Sequence, residues 1–419
     1  MLLGDPPRAD NAYAHVPTLP ETADRLANDN DSMVRSDYDL AIIGAGVVGL
    51  FTADFASRRG ARVLLLDRSR IGDPRTASFG LTRSIRNDYL DPMYSRLAYA
   101  ARKLWLDFQA EIEESIVIQC GCLNIARADI TPAMGKTYAE ESYRVMQSVG
   151  LKTQAFNRDQ LGARFPQFDA DMGRLDVEAG MLHLPPVTAA LSRRLRAAKV
   201  AIEESTAVQR ISPGPDGIAI QTSAGERTAR QVVLAAGLGT NELLAVTDGC
   251  NLRLPLRPDR PSEAKYLVPP PTTRALFGPD RLPVFAYLDV GIYGHPWLEG
   301  KTPGVKIGYY NPPDARRQET QIRNVLDFVL TCLPGLRDAE VHDVEGVDQC
   351  SYDLVEDDHF IIGPVPGLPG ITIGTGWRGT GYKFSPLTGR TLMELALDHK
   401  ATIDISRFAP QRFQVTHAG

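Results

Sequence analysis

Between Tyr38 and Asp67 the chain reads YDLAIIGAGVVGLFTADFASRRGARVLLLD, and few folds accept residues in that order. Residues 40–43 are an apolar run of strand type. Gly44, Gly46 and Gly49 follow in GxGxxG spacing, residues 47–59 read as a helix, and residues 62–66 form a second strand ending in Asp67. Gly44 permits a tight turn, Gly46 lets a pyrophosphate approach the backbone, and Gly49 lets the helix pack closely on the strand. Val47 and Val48 open the helix, whose free N–H groups and partial positive charge favour phosphate. Asp67 stands where a ribose hydroxyl can donate to it. A glycine-rich turn alone is a weak signal; strand, helix, strand and terminal acid in register make it a dinucleotide site.

A chain of 419 residues buries a large core and is long enough for two domains. Its net charge of −5 gives no electrostatic reason to expect nucleic acid or anionic membrane as a partner. The longest apolar run, residues 40–51, is the fingerprint itself and is too short to span a bilayer. Five cysteines, at 120, 122, 250, 332 and 350, are too few and too scattered for a disulfide scaffold, and no set has metal-ligand spacing. The expectation is a cytoplasmic protein without metal, a monomer or weak dimer.

Residues 1–36, rich in Pro, Asp, Asn and Ala, read as an extension lacking the apolar core of a signal peptide. After Asp67 a long loop carries Arg83 and Arg86, a pair that composition alone would leave in solvent. A helix is expected over 92–114, a strand over 120–126 and an amphipathic helix over 132–149. Strands are expected at 200–207, 218–222 and 231–240, the last ending in a Gly-rich turn. From 252 to 353 the pattern turns antiparallel, with strands at 264–268, 284–288, 291–295 and 304–310 and a helix at 316–333. The nucleotide fold returns with strands at 360–363 and 371–375. A Gly-rich loop then leads to a helix expected to run from Ser385, as N-cap, with Pro386 in its first turn, to 399. The fold class is therefore α/β: a Rossmann-like nucleotide domain (37–87, 175–251, 354–419) interleaved with an α+β domain on a mostly antiparallel sheet (88–174, 252–353).

From about Ser36 the chain resembles the monomeric sarcosine oxidase and N-methyl-tryptophan oxidase family, within the D-amino-acid oxidase superfamily of flavoproteins. Four stretches carry the resemblance in the family's order: LTRSIRNDY, GVKIGYY, VDQCSYDLVEDDHFIIG and GTGWRGTGYKFSPLTG. It implies FAD, linked covalently through Cys350. Contacts to FAD are implied for Gly44, Gly46, Val47, Val48, Gly49, Asp67, Arg68, Ser78, Thr82, Arg83, Val208, Ala236, Gly237, Gly376, Gly379, Gly381, Tyr382 and Lys383. It further implies that Arg86 and Lys383 bind a substrate carboxylate, and that Arg83 helps hold negative charge on the flavin. Lys306 would lie over the ring and promote dioxygen reduction, with Tyr293 and Tyr352 lining the substrate pocket. Read without the resemblance, Lys306 would be an exposed strand lysine between Val305 and Ile307.

The implied activity is oxidation of a secondary amino acid (N-methyl, N-alkyl or cyclic) to an imine, with dioxygen reduced to hydrogen peroxide. The alternatives are a dehydrogenase on the same fold that uses another electron acceptor, or a non-catalytic FAD-binding subunit. Phe79 and Thr380 stand where several family members carry histidine, so the pocket is not a copy of a sarcosine site.

Overall fold

The computed structural model describes residues 36–131, 133–259, 263–309, 321–342 and 351–413. Tyr38–Ile43 lies at the centre of an eight-stranded sheet, parallel to Val63–Leu66 on one side and to the end of Gly225–Leu234 on the other. Ala201–Glu203 extends the first side and Ile371–Thr375 the second, both parallel. Parallel strands need both faces covered, which is why residues 40–43 and 63–66 are apolar without alternation. The first half of Gly225–Leu234 leaves this parallel array and pairs antiparallel with Gly217–Thr222, which continues to Val208–Gly214. Ile361–Pro364 closes the other edge, antiparallel to Ile371–Thr375.

The helix Val47–Arg58 buries ten of its twelve residues because it lies between this sheet and a second helix, Gly381–Asp398. The two helices approach closely at Gly389, where a Cβ would stand 2.6 Å from Phe51 Cβ and 2.9 Å from the Thr52 nitrogen. Pro92–Ile112 packs outside them, started by Pro92 and by Asp91, whose side chain accepts from the Met93 N–H. Its Trp105 is fully buried, stacks on Tyr382 and donates from Nε1 to the Lys383 carbonyl at 2.9 Å.

A second eight-stranded sheet runs Glu340–His342, Glu263–Val268, Val305–Tyr309, Ile292–His295, Val284–Tyr287, Cys122–Ala126, Met172–Asp176 and Thr153–Asn157. All its pairings are antiparallel except Val284–Tyr287 with Cys122–Ala126. A smaller sheet, Thr82–Ile85 with Gly180–His183 and Val117–Ile118, comes between the two large ones in sequence. His295 joins it to the second sheet: Nδ1 lies 2.7 Å from Thr82 Oγ1 and Nε2 lies 2.8 Å from Ser84 Oγ.

Several expected elements differ. The last helix begins at Gly381, one turn before Ser385, so Pro386 lies inside it and the Ser385 hydroxyl, instead of capping, is buried without a partner among the described residues. Lys383 and Tyr382 thereby sit in the first helical turn, not in the loop. The helix expected from 132 starts at Tyr138, where Thr137 caps it by accepting from the Glu140 N–H. The helix expected over 316–333 is seen as Val325–Cys332, with Asn324 as N-cap; residues 316–320 lie outside the described residues. Among the described residues no helix is long and apolar enough to cross a membrane, and no cluster of His, Cys, Asp or Glu could hold a metal ion.

Gly389 sets two effects against each other. Alanine would gain about 1 kcal/mol of helix propensity, whereas overpacking a filled contact costs about 1–3 kcal/mol. The nearest atoms include the backbone of a buried helix, which has little room to give. Gly389→Ala is therefore expected to be destabilising by up to about 2 kcal/mol, read as a lower urea midpoint; a raised midpoint would mean that the helices shift freely.

Candidate active site

The fingerprint turn is built by close approach. A Cβ on Gly49 would stand 1.9 Å from the Gly44 oxygen, and one on Gly44, whose φ is +112°, would stand 2.4 Å from the Ala235 oxygen. Gly46 leaves the turn open on the side where Ser78 Oγ accepts from the Val47 N–H at 2.9 Å, while Val48 follows buried in the helix. Asp67 Oδ2 accepts from the Ala45 N–H and Oδ1 from the Ser69 N–H, each at 2.7 Å. The expected ribose acceptor thus also ties the turn together. The segment leading to Val208 runs beside it, with the Thr206 N–H donating to the Asp67 carbonyl. Ala236 and Gly237 form the adjoining turn, and Thr375 Oγ1 donates to the Gly237 carbonyl at 2.9 Å.

A cavity of about 430 Å³ opens against this turn, lined by Ala45, Asp67, Arg70, Ser78, Arg196 and Glu204 among others. A glycine cradle that any Cβ would fill, a helix N-terminus and a cavity with arginines on its wall fit the phosphate end of a dinucleotide. Arg68 does not join them. It pairs with Glu242 at 2.8 Å on the surface.

Beyond Ser78 the chain turns through Phe79 and Gly80 into Thr82–Ile85. Arg83 is fixed by three backbone carbonyls, of Thr82, Ala77 and Phe79, and its guanidinium lies 5.9 Å from the centre of the buried Tyr382 ring. The Tyr382 hydroxyl has no partner among the described residues. Tyr352 packs on Gly379, where a Cβ would come within 2.9 Å of its ring. The next residue, Asp353, is buried and accepts from the Gly376 N–H at 2.9 Å and from Thr375 Oγ1 at 3.2 Å. Burial pushes its carboxyl up to about 6, against the pull of those donors. Asp353 thus anchors the start of a loop in which Gly376, Arg378 and Gly379 all have positive φ. Thr380 turns its hydroxyl back to the Trp377 carbonyl.

Lys306 is 2% exposed, not a surface lysine, because all five residues of Val305–Tyr309 are buried. Its Nζ lies 5.5 Å from the centre of the Tyr293 ring, and across the strands it faces His295 and Tyr266.

Arg86 and Lys383, 297 residues apart in sequence, meet at one tyrosine that sequence reasoning missed. The Arg86 guanidinium is 5.2 Å and the Lys383 Nζ 5.9 Å from the centre of the Tyr89 ring. Arg86 Nη1 donates to Asp88 Oδ1 at 2.7 Å, to the Asp88 carbonyl at 3.1 Å and to the Tyr138 hydroxyl at 3.3 Å. Nη2 has no partner among the described residues, and the side chain keeps 13% of its surface open. Asp88 is fully buried, its other oxygen bound by Asn124 Nδ2. Lys383 is 8% exposed, and no described residue accepts a hydrogen bond from its Nζ. Burial, then Arg86, hold its ammonium well below the usual lysine range.

Asp88, Tyr89, His295 and Asp353 went unrecognised because each lies in a stretch that reads as loop or plain strand. The one available signal was Asp88 two residues from Arg86. Cys350 lies outside the described residues.

Beneath Arg86, Asp176 accepts from the Asn87 N–H at 2.7 Å and from Asn87 Nδ2. Burial, then the nearby Asp88, push its carboxyl up to about 7. A group raised in the folded state gives stability that is full below the unfolded aspartate range and lost as pH rises through the folded value. The wild type is therefore expected to lose stability relative to Asp176→Asn between about pH 4 and about pH 7. Urea unfolding across that window checks this; parallel profiles would contradict it.

Comparison with known proteins agrees with this geometry. A family described as FAD dependent oxidoreductase matches residues 39–395. The chain is 26% identical to human peroxisomal sarcosine oxidase over 396 residues, covering 90% of this chain and 96% of that one. It is 26% identical to the N-methyl-L-tryptophan oxidase of Salmonella arizonae over 406 residues, covering 90% and 99%. Among solved structures, L-proline dehydrogenase from P. horikoshii superposes with a TM-score of 0.73 at 19% identity, covering 91% of this chain and 98% of that one.

Proposed function

The chain belongs to the FAD-dependent oxidoreductase family, and from that premise we propose that it oxidises the C–N bond of a secondary amino acid to an imine, with dioxygen as electron acceptor and hydrogen peroxide as product. The observation that carries this reading is the pair Arg86 and Lys383 on one tyrosine, with a single buried carboxylate, Asp88, that bonds Arg86 and not Lys383. An isolated ammonium in such a place is costly, and an amino-acid carboxylate supplies the missing anion. The names of the two relatives above point to the same substrate class, since sarcosine and N-methyl-tryptophan are secondary amino acids.

FAD, when bound, would supply the acceptor for a hydride from the carbon beside nitrogen. The chain's own residues bind, orient and supply charge. Arg86 Nη2 and Lys383 Nζ grip the carboxylate, which fixes the neighbouring carbon. Tyr89 keeps both cations at set distances. Arg83, locked by three carbonyls, and Asp353, anchoring the Gly376–Gly381 loop, would hold the ring end of the cofactor. Lys306 offers a fixed positive charge in a dry sheet, the feature that favours dioxygen over a dehydrogenase's carrier as acceptor. Cys350 is proposed as the covalent attachment point, on its place just before Tyr352 and Asp353. A reducing compartment such as the cytoplasm fits the free thiols at 120, 122, 250 and 332.

Aerobic incubation with a panel of N-methyl, N-alkyl and cyclic amino acids should release peroxide, and the same substrates should bleach the flavin anaerobically. Arg86→Ala should weaken binding of simple carboxylates by about 2–5 kcal/mol, the scale for removing one partner of a buried charged contact. Unchanged carboxylate affinity would sink the amino-acid assignment. For the covalent bond, acid-precipitated wild type should stay yellow and Cys350→Ser should release its flavin; a colourless wild-type pellet from loaded protein would exclude the linkage.

A further inference from the structure

In neutral water an amino acid carries an ammonium, which has no lone pair to develop toward an iminium. A proton must leave the nitrogen before hydride can leave the carbon, so something must accept it. The buried carboxylates around Arg86 are already engaged. Asp88 is bound by Arg86 and Asn124, and Asp176 by Asn87. Asp353 is held by the loop it anchors, and both nitrogens of His295 meet hydroxyls.

Lys383 is different. The residue is 8% exposed, its Nζ has no acceptor among the described residues, and it projects from the first turn of Gly381–Asp398, where the helix end adds partial positive charge. The charged groups that act on it are Arg86 and Arg83 on the one hand and Asp88 on the other. The remaining titratable neighbours, Cys122, Tyr89 and Tyr382, stay neutral because burial pushes each of them up.

We propose that Lys383 rests as a neutral amine and accepts the proton of the substrate ammonium, so that binding the carboxylate and freeing the amine are one event. This rests on the amino-acid reading above. The N–H bond of the substrate ammonium breaks, its electron pair stays on the substrate nitrogen, and a new N–H bond forms at Nζ. No proton enters or leaves the site. The resulting lysine ammonium pairs with the substrate carboxylate, which replaces the anion it lacked. Lys383 is then a catalytic residue as well as a binding one. The low ammonium stability imposed by burial and by Arg86 has the direction this role needs.

The test uses flavin-loaded enzyme and propanoate, a carboxylate with no ammonium to give. Without a donor in the ligand, Lys383 must draw its proton from solvent. In weakly buffered solution with a pH indicator, wild type should take up about one proton per propanoate bound, and Lys383→Met none. Lys383→Arg keeps a cation but cannot start neutral. Its rate of anaerobic flavin bleaching should rise about tenfold per pH unit below the substrate amine's own range, where wild type is flatter. Propanoate that binds wild type without proton uptake overturns the role of Lys383 and leaves the amino-acid reading standing. Propanoate that does not bind at all overturns both.

Discussion

A positive charge taken out of water needs an anion, and among the described residues none pairs with Lys383. Two guanidinium groups lie near it, the helix end adds to their field, and the carboxylate that acts on it, Asp88, already serves Arg86 and Asn124. Removing an ion from water costs several kcal/mol even after relaxation. Such a site persists because a ligand restores the balance, or because the amine sheds its proton when the ligand is absent. Both outcomes are what the proposed chemistry needs: a pocket that answers to a carboxylate and can hold a proton beside it.

The fold makes this arrangement possible by bringing together distant parts of the chain. Trp105 Nε1 holds the Lys383 carbonyl, and Gly389 lets the helix that carries Lys383 pack close to the fingerprint helix. His295 fastens the strand bearing Arg83 to the sheet bearing Lys306, so those two basic side chains keep a fixed relation. Asp353 ties the Gly376–Gly381 loop to the strand that follows Cys350. Apart from Gly389, each is a polar contact between segments separated in sequence.

That is also why part of the site was legible in the sequence and part was not. The stretch from Tyr38 to Asp67 could be read because its spacing encodes local geometry: a turn, a helix start and a strand end within thirty residues. Arg86, Lys306 and Lys383 were found only through likeness to a family, since polarity alone made two of them surface residues. The start of the last helix was misplaced because Ser385–Pro386 is a good local start signal. Packing of Tyr382 on Trp105 carries the helix one turn further back. Tyr89, Asp88 and His295 left no local trace, because their roles come from neighbours supplied by other elements.

The most direct measurement is the position of a carboxylate in a crystal structure of the flavin-loaded protein. If the cation pair is the substrate anchor, a bound propanoate will lie with one oxygen about 3 Å from Arg86 Nη2 and the other about 3 Å from Lys383 Nζ, beside Tyr89. A carboxylate found elsewhere, with Lys383 still lacking an anion, would contradict the account.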